Sequence, residues 1–256
     1  MLACSRHGLL PRTHRSGGAW EPFLKSGHIS PKRVMRQIRE EISRADALGI
    51  PWQRVIDAVR PAIARVWHHW SQDDRKQFLR HLRSRWDVFR HRMAEPVSAK
   101  LHGLMRSGQL DVLAGRIRTY RPTCQGAEAV IERKDGRETH FTAARVINCT
   151  GPRSDFGRIA FPLLADLRRR GLIVPDALGL GIETSDCAAI SSPGVPSDWL
   201  YALGPLTRPA WWEITAIPEI NAQVDRLVRE FVAGRDGPAA SRAPLAEEFV
   251  DLGSGI

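Results

Sequence analysis

Near Gln109 the hydrophobic period of this chain changes from helical to extended. Upstream, from Ser30 to Gly108, the pattern is helical. Ser30-Pro31 offers an N-cap followed by proline at the first helical position, and Val34, Ile38 and Ile42 then recur at i, i+4, i+8. From Trp52 to Trp70, the residues Trp52, Val55, Ile56, Val59, Ile63, Val66, Trp67 and Trp70 make one apolar stripe. Pro61 lies inside it and should kink or restart the helix near Arg60. Ser71 caps a third helix, with Asp73 and Asp74 in its first turn and Phe78, Leu79, Leu82, Trp86, Phe89 and Met93 as its apolar residues. A fourth runs from Pro96 to Ser107 and stops at Gly108.

Downstream, Leu110 to Ile117 reads as a strand and Ala127 to Arg133 alternates. Lys134-Asp135-Gly136-Arg137 is a hairpin turn, and Thr139 to Thr142 returns antiparallel. This meander leads into Arg145-Val-Ile-Asn-Cys-Thr-Gly-Pro152, where Val146-Ile147 reads as a strand running into a Thr-Gly-Pro turn. Trp199-Leu-Tyr-Ala-Leu-Gly-Pro205 repeats the shape. Two apolar strands that each end in Gly-Pro suggest two loops at one sheet edge, where open α/β folds place ligands against bare backbone. Between them, Ile159 to Arg170 reads as a helix with Phe161, Leu164 and Leu167 inward. Leu178-Gly-Leu-Gly-Ile182 reads as a strand with close backbone approach, since no third glycine follows at dinucleotide-binding spacing. A last helix starts with Pro218 and turns Ile220, Val224, Leu227, Val228 and Phe231 inward.

The chain has 256 residues, 43% of them apolar, enough for one sizeable core or two small ones. Its formal charge of +10 permits anionic partners without choosing among them. The opposite faces of the early helices are crowded with Arg75, Arg80, His81, Arg83, Arg85, Arg90, His91 and Arg92. Such faces are either a nucleic-acid groove with tryptophans interleaved for stacking, or a solvated surface over a Trp-containing core. The tryptophans follow the apolar stripe, which favours the second. His68-His69 has no metal-binding spacing, and no metal is expected. Cys4, Cys124, Cys149 and Cys187 are widely spaced, which fits a reducing compartment, and no apolar run nears the roughly 20 residues of a membrane span. A cytoplasmic protein without membrane contact is expected. Residues 1–30 are basic and aperiodic, either the end of a preceding element or a disordered tail.

The order of these motifs resembles the bacterial FAD/NAD(P)-binding oxidoreductases, a group of two-dinucleotide-binding-domain flavoproteins. The resemblance rests on Ser5-Arg-His-Gly-Leu-Leu-Pro-Arg12, the Trp- and Arg-rich helices, Val146 to Pro152, Leu178 to Ile182, Leu200 to Arg208 and Trp212 to Glu219, and so spans most of residues 5–232. It implies an α/β fold: part of an FAD-binding Rossmann-like domain, made of a β-meander, a C-terminal strand and a helix, with an all-α insert. Residues 1–30 would be the remnant of a nucleotide-binding domain, 31–108 the insert, 109–233 the C-terminal part of the FAD domain, and 234–256 a flexible tail. Thr150, Gly151 and Pro152 would pass close to FAD, and Gly204 and Pro205 would mark where the last strand meets it. Thr215 and Ile217 would lie beside it, and the final helix would aim its N-terminus at the flavin or pyrophosphate. Pro205 departs from the group, many of whose members carry a ribityl-binding Asp there.

The group's Gly-x-Gly-x-x-Gly fingerprint is absent from these 256 residues. The resemblance therefore implies the C-terminal half of an FAD-dependent, NAD(P)H-linked oxidoreductase. Alone it would bind FAD weakly or not at all, with an N-terminal half carrying the Gly-rich loop as a possible partner. No residue stands out as catalytic. The alternative is a non-catalytic basic helical module that binds nucleic acid.

Overall fold

A computed structural model describes residues 1–25 and 27–235, so all but the start of the stretch read as a flexible tail lies outside the described residues. In chain order the elements are β1 (Leu2–Ser5), α1 (Pro31–Ala47), α2 (Trp52–Val59), α3 (Ile63–His69), α4 (Gln72–His81), α5 (Arg83–Arg90), α6 (Glu95–Arg106), β2 (Asp111–Thr123), β3 (Gly126–Arg133), β4 (Glu138–Ala143), α7 (Pro162–Arg169), β5 (Thr184–Ser185), β6 (Ala188–Ile190), β7 (Pro196–Tyr201) and α8 (Ile217–Arg235). The protein is thus mixed α/β. Two compact units share these elements. Met1–Trp20, Ile38–Asp57 and Gln77–Gly151 form the first; Glu21–Gln37, Ala58–Lys76 and Pro152–Ile256 form the second.

The helical period translates directly into burial. Val34 and Ile38 of α1 are buried, as are Val55, Ile56, Val59, Ile63, Val66, Trp67 and Trp70 of the apolar stripe. Pro61 does restart the helix: a 3-10 turn at Arg60–Ala62 separates α2 from α3. Ser71 caps α4, its Oγ accepting from the Asp74 N–H at 3.1 Å while Asp74 Oδ2 accepts from the Ser71 N–H at 3.3 Å. The third predicted helix is two helices, interrupted at Leu82. Trp67, Trp70 and Trp86 are buried, whereas His68 and His69 are exposed. Among the described residues no helix is long and apolar enough to cross a membrane.

In the first unit β1–β4 form a mixed sheet in sequential order, β1 parallel to β2 and the rest antiparallel. The Asp135-Gly136 turn closes β3 onto β4, with Gly136 at φ 78°. Two expectations fail here. Leu2–Ser5, read within an aperiodic segment, is a strand because it pairs with Asp111 to Ala114 of β2. Val146-Ile147 is not a strand: β3–β4 pairing ends at Ala143, and no strand among the described residues pairs with the two. Both side chains stand in solvent, 51% and 82% exposed. β-branched residues favour extended backbone, but a strand needs an edge to pair with.

In the second unit β5–β7 form an antiparallel sheet over a core of Ile173, Ile182, Ala189 and Ala202, against which Leu164 and Leu167 of α7 pack. α7 starts three residues later than the predicted Ile159, at Pro162, and Phe161 is 60% exposed rather than inward. Val228 and Phe231 of α8, also expected inward, are exposed, although the Phe231 ring meets Tyr201 edge-on at 4.9 Å. The β5–β6 turn uses Asp186 and Cys187, both at positive φ (45° and 67°). Burial, the largest cause, pushes the Cys187 thiol up to about 11.

Candidate functional site

The two loops singled out in the sequence are built differently. In the first, Asn148 Oδ1 accepts from the Thr150 N–H at 3.1 Å and from its hydroxyl at 2.8 Å, an Asx turn that needs no tertiary support. Gly151 follows at φ 78°, with no atom within 4 Å of where a Cβ would stand. Thr150, Gly151 and Pro152 are all exposed. Asn148 to Gly151 belong to the first unit, while Pro152, Gly204, Pro205, Thr215 and Ile217 belong to the second.

The second loop is locked from below. β7 ends at Tyr201, and Gly204 (φ 66°, buried) opens a 3-10 turn through Thr207. Gln223 of α8 reaches under that turn. Its Oε1 accepts from the Gly204 N–H at 2.7 Å, and its Nε2 donates to Thr207 Oγ1 at 2.9 Å. The Thr207 hydroxyl in turn donates to the Gly204 carbonyl at 2.9 Å. This closed buried network fixes the turn without charge. Pro205 at its crest is exposed, as are Thr215 and Ile217. The first turn of α8 already carries Glu219, ion-paired with Arg60, so its dipole is partly compensated by the chain's own carboxylate.

The loop after Gly204 is held by an aromatic column. Trp67 donates its indole N–H to the Pro209 carbonyl at 2.8 Å and stacks on Trp212 with ring centroids 4.8 Å apart. Arg75 covers the Trp67 ring at 5.0 Å, and Arg208 covers Trp212 at 4.2 Å. Arg208 is therefore part of the scaffold. Sequence reasoning missed Gln223 and Thr207. The available signal was a lone amide three residues after Ile220, on the inward face of α8.

Leu178 to Ile182 is not a strand but a loop organised by Asp176, whose Oδ2 accepts from the N–H groups of Leu178 and Leu180, each at 3.0 Å. Close backbone approach does occur there, because Gly181 lies against the Leu206 carbonyl. Glu183 sits half-buried beside Asp176 and Arg75. Burial first, then the Asp176 charge, holds its carboxyl above the usual range, against the pull of Arg75. A carboxyl raised by folding contributes stability below the ordinary carboxylate range, and that contribution is lost as pH rises through the raised value. Glu183→Gln, which keeps a donor toward Asp176, is expected to stabilise at neutral pH, on the order of 0.5 kcal/mol after solvent screening. The advantage should vanish in acid; thermal melts at both pH values check the sign.

Among the described residues, no group of three or more His, Cys, Asp or Glu is placed to hold a metal ion. No family model, curated protein or solved structure matches the chain.

Proposed function

We propose that this chain is the cofactor-facing part of an FAD-dependent, NAD(P)H-linked oxidoreductase, within a Rossmann-like domain whose Gly-rich pyrophosphate loop comes from a partner segment. The observation that carries the reading is the stretch Val146 to Gly151. Two exposed β-branched residues in non-helical backbone lead into a self-closed turn ending at an open, positive-φ glycine. Such a stretch suits pairing with a further strand, with cofactor lying over the bare turn.

Support also comes from the Gly204 turn, held by Gln223 so that its crest stays exposed, and from the four unpaired cysteines, which suit a reducing cytoplasm. The candidate flavin-contacting residues are Thr150 and Gly151 within the first unit, and Pro152, Gly204, Pro205, Thr215 and Ile217 within the second. The flavin would carry the redox chemistry, and these groups would position it. Nucleic-acid binding by the helices is less well supported, since Trp67, Trp70 and Trp86 are buried and offer no stacking platform.

Titrating FAD fluorescence against the chain tests this. Saturable quenching in the high-micromolar range, weakened when Gly151 is replaced by valine, is expected. Absence of saturable quenching would overturn the cofactor-facing assignment. Flavin retained near one per chain after desalting would overturn the need for a partner.

A further inference from the structure

The loop that follows β1 lines a half-open cavity of about 300 Å³ within the first unit. β1 ends at Ser5, and Gly8 (φ 61°) lets the chain cross directly against Ala114 of β2, where a Cβ would come within 3.1 Å of the Ala114 backbone nitrogen. The cavity therefore begins just past the carboxyl end of a parallel strand, a common ligand position in α/β sheets. Its frame is preformed. The Arg12 N–H donates to the Val88 carbonyl at 2.9 Å, Met93 N–H to the Arg12 carbonyl at 2.8 Å, and His14 N–H to the Met93 carbonyl at 2.8 Å.

The walls are largely apolar, from Leu9, Leu10, Val88 and Met93, and the polar lining residues are Thr13 and the exposed Arg12 and His102. The Arg12 guanidinium lies over the Phe89 ring at 5.7 Å, and no carboxylate pairs with it among the described residues. His102 Nδ1 lies 2.8 Å from the Ser98 carbonyl. A carbonyl only accepts, so in the neutral ring Nδ1 carries the hydrogen and Nε2 is left as an acceptor. Buried Ser98 is itself anchored, its hydroxyl sharing a hydrogen bond with Thr13 Oγ1 at 2.6 Å. The surrounding field is positive: His7, beside Gly8, is lowered by burial and then by Lys134, Arg6, Arg116 and Arg85.

We infer that this cavity binds a small organic carboxylate, its anionic end on Arg12 and its apolar body against Leu9, Leu10, Val88 and Met93. The volume is at the lower end for ligand sites and suits an acid the size of a substituted benzoate. The inference stands independently of the flavin reading, since it involves neither cofactor loop.

Titration of the full chain, methyl-labelled at Leu and Met, tests it with three probes: benzoate, benzamide and inorganic phosphate. Benzoate should shift the methyl signals of Leu9, Leu10 and Met93 saturably. Benzamide, which lacks the charge, and phosphate, which lacks the apolar body, should each bind about tenfold more weakly or not at all. Arg12→Gln should weaken benzoate about tenfold with the methyl spectrum otherwise intact. Equal binding of benzoate and benzamide would overturn the role of Arg12 without any variant. Equal binding of phosphate, or benzoate shifts confined to other methyls, would overturn the site.

Discussion

Trp67→Ala is expected to cost about 4 kcal/mol, the range for removing a fully buried large aromatic. Trp67 is 1% exposed and occupies the middle of the Arg75–Trp67–Trp212–Arg208 column. Its loss leaves a cavity, unstacks Trp212, and leaves the Pro209 carbonyl only the longer 3.4 Å contact from Arg75 Nη1. Trp67→Phe separates the contributions in part, because it keeps an aromatic ring in the stack while losing the indole donor and some buried volume. It should cost about 1–2 kcal/mol. Urea unfolding of the two variants is the measurement. A loss below about 1 kcal/mol for alanine would mean that the ring is not close-packed.

Gly181→Ala should be comparably severe for a different reason. A Cβ there would stand 2.1 Å from the Leu206 carbonyl oxygen and 3.0 Å from its carbon, so backbone must move against backbone. The displaced segment also accepts the Ile182 N–H at 3.0 Å and belongs to the turn that Gln223 holds. A cost of about 3 kcal/mol or more follows. Gly179→Ala is the control. Its φ of 68° penalises alanine by about 1–2 kcal/mol, but the new methyl would meet Asp155 no closer than 3.5 Å. Gly181 itself is not at positive φ, so a loss there no larger than at Gly179 would mean that the close approach to Leu206 is easily relieved.

These two sites show what could be read in advance. The buried helical faces were legible because burial imposes a 3.6-residue period wherever one side of a helix is solvated, and Pro61 and Gly108 mark interruptions that act through local sterics. The Asp135-Gly136 hairpin is equally local. Close approach at Gly181 followed from the absence of a side chain, although the partner, Leu206, did not. Legibility fails where a pairing is distant. Nothing local tells Leu2–Ser5 that Asp111 to Ala114 will lie beside it, or denies Val146-Ile147 a neighbour. β2 runs to Thr123, well past Ile117, because it pairs with β3, and that extension was hidden because residues 116–122 are exposed on both faces and show no alternation. The two loops proposed to face the cofactor were singled out in the sequence, whereas their support, Gln223 beneath one and Asn148 within the other, lies in hydrogen bonds that carry no hydrophobic signature.

The exposed Val146-Ile147 pair also bears on how the chain behaves at high concentration. β4 is the outer strand of its sheet, and the segment after it presents apolar, β-branched side chains and backbone groups that no strand uses. That is a template for edge-to-edge aggregation. Arg145 immediately before it and Arg153 shortly after act as gatekeepers, since stacking copies would bring like charges together. The net charge of +10 works in the same direction over longer range. Salt, by screening those arginines, is therefore expected to bring the exposed edge into play.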